Sequence, residues 1–179
     1  MFNFKTSYAE VVKKIDVKGT NRISPETVIM FSDIKLDQNI DENDINNITQ
    51  NLYETNFFKD ISISFVNKIL TINIIENPII QKIEIAGIKS KKYSDPLYEI
   101  IGMKEKSSYV ESFVSNDLNK IRNFLKISGF YFSKVEVDVK KNSNNTIDLI
   151  YNVELGEKAL INKIRFIFNK IFKDKKFKN

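Results

Sequence analysis

Histidine and cysteine are both absent from the 179 residues. Their absence removes thiol nucleophiles, Ser-His-Asp triads, thiolate zinc sites and imidazole acid–base chemistry. Carboxylates remain, as an acid–base pair or as ligands for a hard cation. The densest acidic cluster is Asp41, Glu42 and Asp44. It lacks cation-loop spacing and stands where a helix begins, where the helix dipole favours negative charge. No glycine loop for a phosphate is present. The sequence therefore points away from an enzyme, and no catalytic residue, metal or cofactor is expected. What remains is the chemistry of apolar contact and main-chain pairing. Its candidates are the aromatic clusters at Phe57-Phe58 and Phe130-Tyr131-Phe132, and two alternating segments, Ile61, Ser62, Ile63, Ser64, Phe65 and Val135, Glu136, Val137, Asp138, Val139.

The elements that would carry these residues repeat along the chain. Lys14 to Gly19 reads as an alternating strand ending in glycine, Lys82 to Gly87 has the same form, and Lys163 to Ile167 is a third copy with Phe168 in the glycine position. In the first unit Ser24 caps a helix that opens with Pro25, and a connection runs from Leu36 to Ile40. Asp41 then caps a second helix with its apolar face at Ile45, Ile48 and Leu52. Asn56 supplies the left-handed stop, a strand follows through Ile61, Ile63 and Phe65, Asn67-Lys68 turns, and Leu70, Ile72 and Ile74 return. The second unit repeats this order. A helix spans Pro96 to Ile101, and a longer one carries Val110, Val114, Leu118, Ile121 and Leu125 and stops at Gly129. Val135 to Val139 and Ile147 to Val153 form the hairpin strands.

Each unit thus reads strand–helix–helix–strand–strand. The last two strands make an antiparallel hairpin, and the first joins the same sheet in parallel after a helical crossover. The expected fold class is α+β: tandem βααββ modules, each a three-stranded mixed sheet with two helices on one face. The expected divisions are a tail or signal-peptide remnant at 1–12, a first module at 13–77, a second at 78–156, and the start of a truncated third at 157–179. Ser7-Tyr8-Ala9 has the small-x-Ala form of a signal-peptidase site. Gly19, Asn56, Gly87 and Gly129 are the expected structural turns, and Asn77, Pro78 and Gly156 the expected hinges between modules. At each helix-to-strand joint the first aromatic ring is expected in the core and the second is left open.

Lys and Arg number 28 against 23 Asp and Glu, a net charge of +5. A basic chain invites a nucleic-acid reading. Arginine, the residue suited to bidentate base and phosphate contacts, occurs only at 22, 122 and 165. The excess lysine belongs to a bias toward Lys, Asn and Ile that runs through every segment, so a solvated charged face explains it and no nucleic-acid partner is expected.

The strings Ile15 to Val28 and Leu52 to Ile61, the boundary Ile75-Glu76-Asn77-Pro78-Ile79-Ile80, and Gly129-Phe130-Tyr131 together resemble the POTRA (polypeptide-transport-associated) family. They are most similar to its members in bacterial outer-membrane protein assembly factors. The resemblance runs from about Lys13 to Asn179, with departures at Asn56 and Phe168, where the family usually has glycine. It implies a location on the periplasmic face of the outer membrane, as part of a longer protein whose C-terminal barrel is absent from this chain. It also implies partners, namely unfolded outer-membrane proteins and accessory lipoproteins. In the family's topology the second strand lies at the sheet edge, which implies client binding by β-augmentation along Ile61–Phe65 and Val135–Val139. On this reading proline at Ser62 or Glu136 is the disruptive change. Three other readings stay open: a POTRA region of a two-partner secretion or related transporter, a division protein with one such module, and a basic α+β nucleic-acid-binding module.

Overall fold

The computed structural model describes residues 10–160 and 163–164. Its elements run β1 (Glu10–Val11), β2 (Lys14–Lys18), α1 (Pro25–Ser32), β3 (Asn39–Ile40), α2 (Glu42–Glu54), β4 (Phe58–Val66), β5 (Ile69–Glu76), β6 (Ile79–Ala86), α3 (Lys91–Ile100), α4 (Glu111–Ile127), β7 (Lys134–Lys141) and β8 (Thr146–Glu154). Two three-stranded mixed sheets result, in the orders β2-β5-β4 and β6-β8-β7. In each the hairpin is antiparallel and the first strand pairs in parallel with the last. The fold is α+β, two βααββ units in tandem, each with its own apolar core. The sheets' inner faces carry Ile61, Leu70, Ile72 and Ile74 in one unit, and Val135, Ile147, Leu149, Tyr151 and Val153 in the other. Among the described residues no helix is long and apolar enough to cross a membrane.

Local chemistry explains the helix starts. Ser24 accepts a hydrogen bond from Thr27 N at 3.2 Å, ahead of Pro25 at the first turn. Asp41 and Asp44 cap each other's main-chain N–H at 2.9 and 3.0 Å, a reciprocal capping box that accounts for the acidic cluster. Asn67 and Lys68 both take positive φ (51° and 65°), as a two-residue turn with the twist of the flanking strands demands.

The structure corrects four expectations. The tail at 1–12 is too long, because Glu10–Val11 pairs antiparallel with Asn39–Ile40 and Val12 is fully buried. That pairing turns the expected connection from Leu36 to Ile40 partly into strand. The helix expected at Pro96 to Ile101 is Lys91–Ile100, so Pro96 lies inside it rather than at its start. The lost main-chain bond is offset by the burial of Leu97 and Ile101 on the stripe that Pro96 adjoins. The aromatic order at the first joint is reversed. Phe58, the second ring, is the core residue, and Phe57 is half-buried against Phe31. A register shift between Phe58 and Asp60 leaves Lys59 and Asp60 both outside and brings Phe58 and Ile61 both inside. Finally, Val110 is the residue before α4 rather than part of its face, and Asp117 is fully buried beside the half-buried Leu118. Of the expected third unit, residues 157–160 and Lys163 and Ile164 are described, and none of them is in a strand. Its remainder, and Ser7-Tyr8-Ala9, lie outside the described residues.

Candidate polypeptide-binding edges and the junction between units

Both segments singled out by alternation are edge strands: Ile61–Phe65 lies in β4 and Val135–Val139 in β7. In an antiparallel edge strand, alternate residues turn their N–H and C=O inward to the ladder and outward to solvent. The hydrogen bonds show which set is which. Ile61 N donates to the Tyr53 hydroxyl at 3.2 Å, so the Ile61 main chain faces away from β5. Val135 O accepts from Arg122 at 2.9 Å, and Asn142 N donates inward to Thr146 O at 2.8 Å, seven residues out of phase. The outward-facing groups are therefore those of Ile61, Ile63 and Phe65 on β4, and of Val135, Val137 and Val139 on β7. Ser62, Ser64, Glu136 and Asp138 spend their main-chain groups on the protein's own ladders. Tyr53 from α2 and Arg122 from α4 each cover the first open group, and among the described residues the next two outward positions on each strand have no partner.

The opposite edge of the second sheet is closed. Ile83 N donates to Glu105 Oε1 and Ile85 N to the Tyr98 hydroxyl, each at 3.1 Å, and Ile80 exchanges main-chain bonds with Lys106 and Ser107. Side chains and a loop thus blunt β6, which leaves β7 as that sheet's open edge.

The expected hinge Asn77-Pro78 is the entire link between β5 and β6. Asn77 is buried. Its N–H donates to Phe57 O at 2.8 Å and its side-chain amide to Asn56 O at 2.9 Å. Pro78 O accepts from Tyr109 N at 2.8 Å, and Ile79 N donates to Asn145 O at 3.0 Å. The Asn145 amide reaches back to Glu76 O at 3.3 Å. Gly156 follows β8 with φ +67°. Gly19, Asn56, Gly87 and Gly129 all adopt positive φ.

A groove of about 480 Å³ opens at this junction. Phe58 and Lys59, at the start of β4, and Val139 and Lys141, at the finish of β7, line it. Tyr53 and Pro78 line it too. The start of β4 and the finish of β7 thus border one depression.

Two buried carboxylates were not singled out from sequence. Glu76 Oε1 accepts from the N–H groups of Asn21, Arg22 and Ile23 at 2.8, 2.9 and 2.9 Å. It closes the β2–α1 turn beside the junction. Asp117 Oδ1 accepts from Gly102 N at 2.6 Å, and its Oδ2 from Met103 N at 2.9 Å and the Tyr151 hydroxyl at 3.1 Å. Burial first, and then the nearby Asp117 charge, push the Tyr151 hydroxyl far up in pKa, so it stays a proton donor at neutral pH. The one signal for Asp117 was a carboxylate at i+3 from Val114 inside an apolar stripe. Substituting Asp117→Ala should lower the stability of the second unit by about 3 kcal/mol, since it orphans two N–H groups and a buried hydroxyl. Urea unfolding followed by circular dichroism measures this, and a loss below about 1 kcal/mol would contradict it.

The POTRA family model, described as a surface antigen variable number repeat, matches residues 78–156. Two curated relatives align along nearly the whole chain. The outer membrane protein assembly factor BamA of Buchnera aphidicola is 26% identical over 174 residues, covering 93% of this chain and 27% of the relative. The BamA of Neisseria meningitidis is 23% identical over 168 residues, covering 92% and 21%. This chain is therefore similar to POTRA segments of such assembly factors, and the POTRA family match falls on its second unit. The chain spans about a quarter of the length of these curated relatives. The fold agrees with solved POTRA structures. The N-terminal domain of Omp85 from Thermosynechococcus elongatus superposes with a TM-score of 0.54 at 14% identity, covering 82% of this chain and 63% of that one. POTRA3-5 of Haemophilus influenzae BamA superposes at 0.50 and 15% identity, covering 98% and 78%. The second unit is the one the POTRA family model matches. The first has the same strand order.

Proposed function

We propose that this POTRA segment acts on the periplasmic face of the outer membrane as part of a β-barrel assembly factor. Its two units divide at Asn77-Pro78. They receive unfolded outer-membrane proteins, and accessory subunits, by adding an extended strand to β4 and β7. One observation carries this reading: each sheet leaves outward-facing main-chain groups on its second strand, at Ile63 and Phe65 and at Val137 and Val139, and both strands open into the same junction groove. Main-chain pairing is indifferent to side-chain identity, which suits a receptor with many clients. The BamA relatives supply the process.

The outward phase corrects the choice of test. Proline at Ser62 or Glu136 removes an inward donor and breaks the protein's own ladder. Val139 donates outward and its side chain is exposed. Val139→Pro should therefore keep the fold and lower affinity for a labelled peptide copied from an outer-membrane β-strand. The expected loss is about fivefold, the worth of one ladder bond of about 1 kcal/mol. Fluorescence anisotropy reads the affinity and a thermal melt confirms the fold. Equal affinities for Val139→Pro and wild type would remove β7 as a client edge.

A further inference from the structure

A second cleft at the junction, of about 320 Å³, is lined by no residue of β4 or β7. Phe57, Met103 and Phe113 form the large apolar part of its lining, beside the polar Thr55, Asn56, Ser107 and Ser108. Phe57 comes from the α2–β4 corner of the first unit, and Met103 and Phe113 from the α3–α4 connection and α4 of the second. Its rim carries three cations, Arg22, Lys104 and Lys106. The Arg22 guanidinium is held in place, 6.0 Å above the Phe57 ring and 3.6 Å from the buried Glu76 carboxylate, yet stays partly exposed. Lys104 Nζ donates to a main-chain oxygen, that of Tyr98, at 3.0 Å. Among the described residues neither Lys104 nor Lys106 pairs with a carboxylate. Glu105, which stands between them, is turned away onto Ile83 N of β6. Lys106 itself takes a positive φ of 67°, and its N–H is bonded to Ile80 O at 2.7 Å. The loop is thus tied to β6 in a conformation that presents both lysines without an acidic partner.

We propose that this cleft is a second polypeptide-binding site. It takes an aspartate or glutamate side chain at the cationic rim and the neighbouring large apolar side chain against Phe57, Met103 and Phe113. A free anion would use the rim and leave the apolar walls idle, so a peptide carrying both groups fits the site better. Because the walls come from both units, an occupant ties them together across the Asn77-Pro78 link. The inference takes from the proposed function only that the partner is a polypeptide, and it uses neither β4 nor β7.

The test uses the full chain and a fluorescein-labelled, end-blocked peptide, Gly-Ser-Asp-Phe-Ser-Gly, in anisotropy titrations at low and moderate salt. The expected result is saturable binding that weakens at least tenfold in Lys104→Glu/Lys106→Glu. A similar loss is expected when the peptide's aspartate becomes asparagine or its phenylalanine becomes glycine. Circular dichroism should show the charge-reversed chain folded, since both lysines are exposed. Val139→Pro should leave this peptide's affinity unchanged, which separates failure of the edge reading from failure of this one. Equal binding of the aspartate and asparagine peptides, or no effect of the charge reversal, would overturn the proposal. Full competition by millimolar inorganic phosphate with no dependence on the phenylalanine would also overturn it, in favour of a simple anion site. So would loss of phosphatidylglycerol-vesicle binding in the same variant when the peptide itself does not bind.

Discussion

Glu76→Ala is expected to destabilise the first unit by about 3 to 4 kcal/mol. A single carboxylate oxygen serves three successive N–H groups, those of Asn21, Arg22 and Ile23, and the side chain is almost wholly removed from water. Hydrogen bonds to a charged acceptor contribute more than neutral ones, and deleting the acceptor leaves the donors without partners. Asn21 and Arg22 are exposed enough to regain water, whereas Ile23 is buried, so the loss falls short of three full bonds. Glu76→Gln retains a neutral acceptor and should cost about half as much. Hydrogen-exchange mass spectrometry of the whole chain separates the units. Protection should fall across β2, α1 and the 19–24 turn and hold in β7 and β8. A loss below about 1 kcal/mol, or one spread equally over both units, would show that the turn does not depend on this carboxylate.

Gly87→Ala is the second large effect, and it falls on the other unit. Gly87 has φ +88°, and a Cβ there would stand 2.0 Å from the Val153 carbonyl oxygen on β8, a main-chain atom that cannot swing aside. The left-handed conformation costs a non-glycine residue about 1 to 2 kcal/mol, and forcing the turn away from β8 adds about 1 to 3 kcal/mol of overpacking. The expected destabilisation is therefore about 4 kcal/mol, read by urea unfolding. Gly19 is built alike, with a Cβ position 2.1 Å from Ile74 O, so Gly19→Ala should do the same to the first unit. Gly156 provides the contrast. Its φ is also positive, but its nearest neighbour, Phe132 O, lies at an ordinary 3.5 Å. Gly156→Ala should thus cost only the conformational part, about 1 to 2 kcal/mol. Equal costs at Gly87 and Gly156 would show that close approach to β8 is not what selects glycine at the end of β6.

The elements themselves were legible because their signals are local. The strand alternation of Ile61, Ile63 and Phe65, the cap at Ser24, the left-handed stop at Asn56 and the Asn67-Lys68 turn each depend on neighbours within a few residues. The repeat of strand–helix–helix–strand–strand followed from those signals taken in order. Misreadings occurred where a distant partner overrides the local rule. Pro96 sits inside a helix because the face it adjoins is buried, and the shift after Phe58 inverts which of two adjacent rings enters the core.

By itself, then, the sequence determined the periodicities, the turns and the absence of thiol and imidazole chemistry, all properties of short windows or of composition. Only the tertiary structure decided that β4 and β7 turn particular main-chain groups outward, because that phase depends on each strand's register with β5 and β8. Only it showed that Glu76 closes a turn 53 to 55 residues away and that Asp117 joins a helix, a loop and a strand. It alone brought Arg22 to the same cleft as Lys104 and Lys106. A carboxylate or a lysine has the same identity in the sequence whether it is solvated or buried. Its partners are chosen by chain packing across two units, and no local pattern records that choice.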